Sequence, residues 1–189
     1  MSDAQTSDQV NDTDSAPLPT SADALCQTLN DLGLSYERYH HAPVFTVEES
    51  KKLAHDMPGV HIKNLFVKNK KGAMYMITVQ EDRVVDLNTL AKQIGAGRVS
   101  FAQADRLFTY WGVRPGAVTP FGAINDTGHE VTVVLDQSLI GDELINCHPL
   151  VNDQTIGIKP DGLLAFLKHT GHEPIITTIP ERDPAPVAE

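Results

Sequence analysis

Apolar residues recur at Leu25, Leu29 and Leu32, behind Ser21 and ahead of Gly33. This is helical spacing with an N-cap in front and a glycine stop behind, and it predicts a helix. Ser35–His41 reads as a strand that ends before Pro43. Thr46-Val-Glu-Glu49 has the form of a capping box, in which hydroxyl and carboxylate satisfy each other's free backbone donors, and predicts a short helix to about His55. Pro58-Gly59 breaks it. Leu65–Asn69 and Ala73–Val79 are β-prone runs around Lys70-Lys71-Gly72, which predicts a hairpin. Asp86 can cap a helix over Leu87–Ile94, and Gln103–Trp111 predicts another, closed by Gly112. Val131–Leu135 is apolar without strong alternation, as in a central strand covered on both faces. Ile145–His148 and Thr155–Ile158 read as shorter strands. Pro160 suits a first helical turn, Leu163, Leu164 and Leu167 form the stripe, and Gly171 ends it. Ile175–Thr178 is the last predicted strand. Helices and strands mix without regular βαβ alternation. The expected fold is therefore α/β or α+β, a mixed β-sheet with surrounding helices, and not a Rossmann fold.

Composition sharpens the boundaries. Residues 1–20 are rich in Asp, Ser, Thr and Pro, and 180–189 read the same way. Both are expected to be disordered tails, the first acidic, around one domain over 21–179. With 189 residues and 41% hydrophobic positions, one domain has a real core. No run is long and apolar enough to cross a membrane. The N-terminus lacks the basic start and apolar stretch of a secretory signal. Cys26 and Cys147 fit no metal or redox spacing, as expected of reduced thiols in a cytoplasmic protein.

The net charge of −10 argues against coating of duplexes, so no DNA partner is expected. Yet Lys51, Lys52, Lys63, Lys68, Lys70 and Lys71 fall close together. Such a strip can engage one end of an RNA, although a solvated surface would look the same.

The common catalytic signatures are absent: no G-x-S-x-G elbow, no H-E-x-x-H, no P-loop. Gly95-Ala-Gly97 reads as a helix stop and turn. Cys147 and His148, as strand neighbours, point to opposite faces and make a poor dyad. His169-x-x-His172 is interrupted by Gly171 and reads as a surface helix end. His40-His41 and Asp126, His129 and Glu130 are non-specific, so no metal and no cofactor is expected. What remains is Lys63-Asn64 immediately before an apolar strand, the loop Gly116, Ala117, Val118, Thr119, Pro120, and His148-Pro149 at a strand end. Gly116 allows close backbone approach, and the flanking prolines hold the loop stiff. Each of these also has an ordinary structural reading.

Taken in order, the same residues resemble a known superfamily. Pro43-Val-Phe-Thr-Val-Glu-Glu49, Lys63-Asn-Leu-Phe66, Arg114-Pro-Gly-Ala-Val-Thr-Pro-Phe121, Ile124-Asn-Asp126, His148-Pro-Leu-Val-Asn152 and Pro160-Asp-Gly-Leu-Leu164 are similar to the editing domain of bacterial prolyl-tRNA synthetases and its freestanding relatives. The nearest resemblance is to the alanyl-tRNA(Pro) deacylases. It implies a metal-free fold in which Lys63 is essential, Asn64 marks the alanine-specific branch, residues 116–120 bind substrate, and His148 lines the aminoacyl pocket. It also implies that the acceptor end of tRNA(Pro) is the partner, reached by Lys51, Lys52, Lys68, Lys70 and Lys71, with prolyl-tRNA synthetase as a candidate to deliver it. Lys63 and the loop are expected to border one small recess. The alternatives are a deacylase for Cys-tRNA(Pro) or another small-residue ester, and a non-catalytic tRNA- or aminoacyl-binding module.

Overall fold

A computed structural model describes residues 16–43, 57–141 and 143–182. The helix predicted after Thr46 lies outside them, as do residues 1–15 and 183–189 of the two expected tails. The chain opens with α1 (Ala22–Asp31), capped by Ser21, whose Oγ accepts from the Ala24 N–H at 3.1 Å. Strand β1 (Tyr36–His40) follows, then a long β2 (Val60–Asn69) and β3 (Met74–Gln80), joined by the predicted turn. Asp86 caps α2 (Leu87–Gln93), accepting from the Asn88 and Thr89 N–H groups. Then come β4 (Val99–Phe101) and α3 (Ala104–Trp111), closed by Gly112 in the left-handed region at φ 66°. A 3-10 helix covers Pro120–Ile124. The chain ends with β5 (Val131–Asp136), β6 (Ile145–Cys147), β7 (Gln154–Ile158), α4 (Pro160–His169) and β8 (Ile175–Thr177).

The strands form one mixed sheet in the order β1-β7-β6-β2-β3-β5-β8, with β4 added beside β2. Strand β2 is its hub. It pairs antiparallel with β3 along one side; on the other it pairs parallel with β6 at Val60 and His61 and antiparallel with β4 at residues 67–69.

Alternation sorts the side chains onto two faces. Phe66, Met74, Met76, Val131, Val133, Ile145 and Ile156 pack into the larger core with α1, α3 and α4. Val67, Ile77, Val79 and Val134 pack into a smaller one with Leu90 of α2 and Ile179. Strand β5 thus feeds both cores, which is why its sequence barely alternates. It is not central, as expected, but one place from the edge.

Among the features not anticipated are β4, the 3-10 helices at Pro120–Ile124 and Gln137–Leu139, and the early start of β2. Lys63-Asn64 consequently lies inside a strand instead of preceding one. The folded body also reaches past 21 and 179. Thr20 Oγ1 donates to Asn125 Oδ1 at 2.7 Å, and Arg114 donates to the Ala16 carbonyl. At the other end, the Asp86 N–H donates to the Pro180 carbonyl, and Arg83 ties buried Asp136 to Glu181 and the Ile179 carbonyl.

Candidate active site

The pairing of β2 leaves a notch. Strand β6 accompanies it only through His61 and β4 only from Val67, with the Ala102 N–H reaching the Phe66 carbonyl. Between them, residues 62–65 have no strand partner on that side among the described residues. The parallel register pairs Val60 with Ile145 and His61 with Asn146. Carried on by two residues, it sets Lys63 level with His148 on the same face of the sheet. Pro149 follows and has no N–H to continue the ladder.

Three imidazoles gather on this face. His148 Nδ1 lies 2.8 Å from the Gln154 carbonyl, an acceptor, so Nδ1 carries the proton and Nε2 the lone pair. Burial holds the His148 pKa below the usual histidine value, with His41 and His61 adding like-charge opposition. The rings of His41 and His148 stand 6.3 Å apart, and His41 Nε2 meets Thr155 Oγ1 at 2.9 Å. Asn146 Nδ2 donates to the Pro58 carbonyl at 3.1 Å and lies 3.4 Å from His61 Nε2. Its buried Oδ1 has no partner among the described residues. Cys147, by contrast, points into the larger core, and burial pushes its thiol pKa far up. It is no nucleophile and no partner for His148, as strand alternation predicts.

Asn64 takes the other face. Its Oδ1 accepts from the hydroxyl of fully buried Thr78, its cross-strand partner, at 2.8 Å. Its Nδ2 donates to the Val118 carbonyl at 2.8 Å. The next carbonyl, Thr119, accepts from Trp111 Nε1 at 2.7 Å. Two successive carbonyls of the loop are therefore held by side chains. A trans peptide sets N–H opposite C=O, so the Thr119 N–H is turned away from Asn64. Gly116 stands at φ 89°, where a side chain would be strained, and the Ala117 N–H closes a turn onto the Arg114 carbonyl. Val118 is half-buried; Ala117, Thr119 and Pro120 are buried.

The structure thus joins Asn64 to the 116–120 loop, and the β6 register, carried past its last pair, sets Lys63 and His148 on one face of the sheet. It does not put all of them on one wall, where one recess was expected: by strand alternation Lys63 and His148 belong to one face of the sheet, and Asn64 with the loop to the other. Among the expected RNA contacts, Lys70 and Lys71 are exposed at the β2–β3 turn, and Lys68 is half-buried on the Asn64 face. The turn stands about 23 Å from Lys63, at about 3.3 Å per strand residue. Lys51 and Lys52 lie outside the described residues. His61, Asn146 and Thr78 drew no notice in the sequence, and His41 was set aside there as non-specific. His61 and Lys63 are two apart, which a strand starting at Val60 would have set side by side.

His172 is not the surface histidine expected. It is buried, with Nε2 3.1 Å from Asp126 Oδ2, and the Asp126 carboxylate also accepts from the Glu130 and Val131 N–H groups. Among the described residues no cluster of three metal-ligating side chains occurs, and no helix is long and apolar enough to cross a membrane.

A family profile described as "Aminoacyl-tRNA editing domain" matches residues 41–166, a span that holds Lys63, Asn64, the loop and His148. The "Prolyl-tRNA editing protein ProX" of Acetoanaerobium sticklandii is 36% identical over 150 residues, covering 79% of this chain and 92% of that protein. The "Prolyl-tRNA synthetase associated domain-containing protein 1" of Bos taurus is 40% identical over 158 residues, covering 81% of this chain and 92% of its own. A crystal structure described as a candidate trans-editing enzyme for prolyl tRNA synthetase shares the fold, at a TM-score of 0.65 and 20% identity, over 86% of this chain and 99% of that one. The chain belongs to the aminoacyl-tRNA editing domain family, whose chemistry is hydrolysis of the ester of a mischarged tRNA.

Proposed function

We propose that the protein is a trans-editing deacylase that hydrolyses the ester of Ala-tRNA(Pro) in the cytoplasm. What supports this reading is the stretch of β2 that no described strand pairs on one side, where the β6 register extended by two residues would set Lys63 level with His148, together with the hydrogen bond from Asn64 to the Val118 carbonyl. Alanine is smaller than proline, so a pocket built for proline cannot exclude it by size. Each missing methylene contributes only about 1–3 kcal/mol of discrimination. A second site that admits a methyl and clashes with a pyrrolidine ring removes the error, and a stiff loop at 116–120 suits such a wall.

Attack of water on the ester develops negative charge on its carbonyl oxygen. A backbone N–H of the 116–120 loop is the kind of donor that meets such charge, an effect of about 2.7–4 kcal/mol in other enzymes. Neutral Nε2 of His148 accepts a hydrogen bond from water or substrate. Lys63 neutralises the phosphate of the terminal adenosine or the ester region by charge. No protein nucleophile is needed, because the neighbouring ribose hydroxyl helps position the water. The acceptor end of tRNA(Pro) is the bound element, and prolyl-tRNA synthetase is the candidate source of the mischarged product.

Single-turnover hydrolysis of Ala-, Cys-, Ser- and Pro-tRNA(Pro) tests this. Fastest turnover of the alanyl ester, with Pro-tRNA(Pro) spared, is expected. Preference for the cysteinyl ester would move the protein to another branch of the family. Binding without turnover of any ester would make it a non-catalytic module.

A further inference from the structure

Phe101 is a large apolar side chain that the fold leaves in water: 62% of it is exposed, the highest value among the exposed large hydrophobic residues. The short strand β4 fixes its place. Antiparallel pairing sets Phe101 opposite Val67, on the face that also carries Leu65 and Lys63. Val99, two residues back on that face, packs into the smaller core, so the strand is anchored while Phe101 is not. Phe101 therefore stands at the β4 rim of the notch, across from His148 at the β6 rim. Val67 is about 13 Å along the strand from Lys63, and Phe101 is one strand spacing of about 4.8 Å aside.

The same register puts Arg98 beside the β2–β3 turn, because Val99 pairs with Asn69. Arg98, Lys70 and Lys71 are all exposed there. Glu130 stands beside the turn on the β3 side, next to Val131, the partner of Met74, so the basic strip runs along β4. Lys63, then Phe101, then Arg98 with Lys70 and Lys71 make a line: cation, aromatic face, cations. This is the composition of a track for single-stranded nucleic acid, in which phosphates meet the cations and a base stacks on the ring.

We infer that Phe101 is a stacking platform for a base of the single-stranded 3′ end of the tRNA, and that Arg98 extends the phosphate contacts beyond those of Lys70 and Lys71. The inference deepens the deacylase reading by assigning the path of the RNA, and it rests on that reading only for the identity of the RNA.

The test measures binding of uncharged tRNA(Pro), and of the same tRNA with its unpaired 3′ nucleotides removed, to the full chain and to Phe101→Ala, Phe101→Tyr and Arg98→Ala. Phe101→Ala is expected to weaken binding of intact tRNA about 5- to 150-fold, the loss of about 1–3 kcal/mol for one stacked base. Phe101→Tyr keeps parental affinity, since the ring face remains. Arg98→Ala lowers the slope of log affinity against log salt. On truncated tRNA the parent and Phe101→Ala bind alike. Equal loss on both tRNAs, or no loss on either, overturns the inference, as does a concentration-dependent dimer that Phe101→Ala abolishes. A parent that binds tRNA in this way but releases no amino acid would sink the deacylase reading and leave the platform standing.

Discussion

His172 and His148 are both enclosed by the fold, but they are enclosed differently. His172 is closed off: Asp126 meets Nε2, Thr170 meets Nδ1 at 3.1 Å, and Trp111 and His129 pack edge-on against the ring. Among the described residues His148 is anchored on one nitrogen, by the Gln154 carbonyl, and it stands with His41 and His61 near the stretch of β2 that no described strand pairs. A completed hydrogen-bond set stabilises the fold. A set left open at an edge can accept something from outside. Substitutions in the two places should therefore separate rate from stability.

The largest effect is expected at Lys63. Lys63→Ala should lower single-turnover deacylation by about 100- to 1000-fold, as for loss of one transition-state contact, with the thermal midpoint unchanged. A variant as fast as the parent would remove Lys63 from the site and the contrast with it. Asp126→Ala should do the reverse. It strips partners from two backbone N–H groups and His172 at once, a loss of about 3 kcal/mol of stability, read as a fall in thermal midpoint of about 6–12 °C. The folded fraction should retain its rate. Loss of rate without loss of stability would make the Asp126–His172 pair part of the chemistry.

A smaller effect is expected where the two regions are joined. Thr78 is buried on β3 and touches no substrate, but its hydroxyl fixes the amide of Asn64, which in turn holds the Val118 carbonyl. Thr78→Val keeps the shape and removes one hydrogen bond of about 1 kcal/mol. It should lower kcat several-fold with KM unchanged, and Thr78→Ser should restore it. An effect on KM alone would mean that the loop binds substrate without shaping the reacting geometry.

Much of this was legible in the chain. Ser21, Asp86, Gly112 and Pro160 act locally, and each marked a helix end at its observed place. Lys63, Asn64 and His148 were legible as a set through resemblance. Their arrangement was not, because strand faces depend on register. The half-buried polar residues His61, Lys63 and Asn64, set among Val60 and Ile62, hid the start of β2, and with it the face that Lys63 occupies. Strand β4 is three residues long and exists because β2 offers it an edge, so no local pattern announces it. Spacing alone also misplaced His172, because its partner Asp126 is 46 residues away.

The smallest effect concerns pH. Burial holds the folded-state pKa of His148 below the ordinary value near 6.5 of the unfolded chain. Protons therefore bind first to the unfolded state as pH falls. The stability this imidazole contributes by being neutral is complete above about 6.5 and is lost as pH drops through the folded value. The lone pair on Nε2 follows the folded value, so single-turnover rate should stay level from pH 8 down past 6.5 and only then decline with a slope of one. His148→Gln should be slower throughout and lack that decline. A break at about pH 6.5 in the parent, absent in His148→Gln, would show an imidazole as exposed as that of a peptide. The open cluster would then be a surface, and its difference from the closed Asp126–His172 pair would be one of exposure alone.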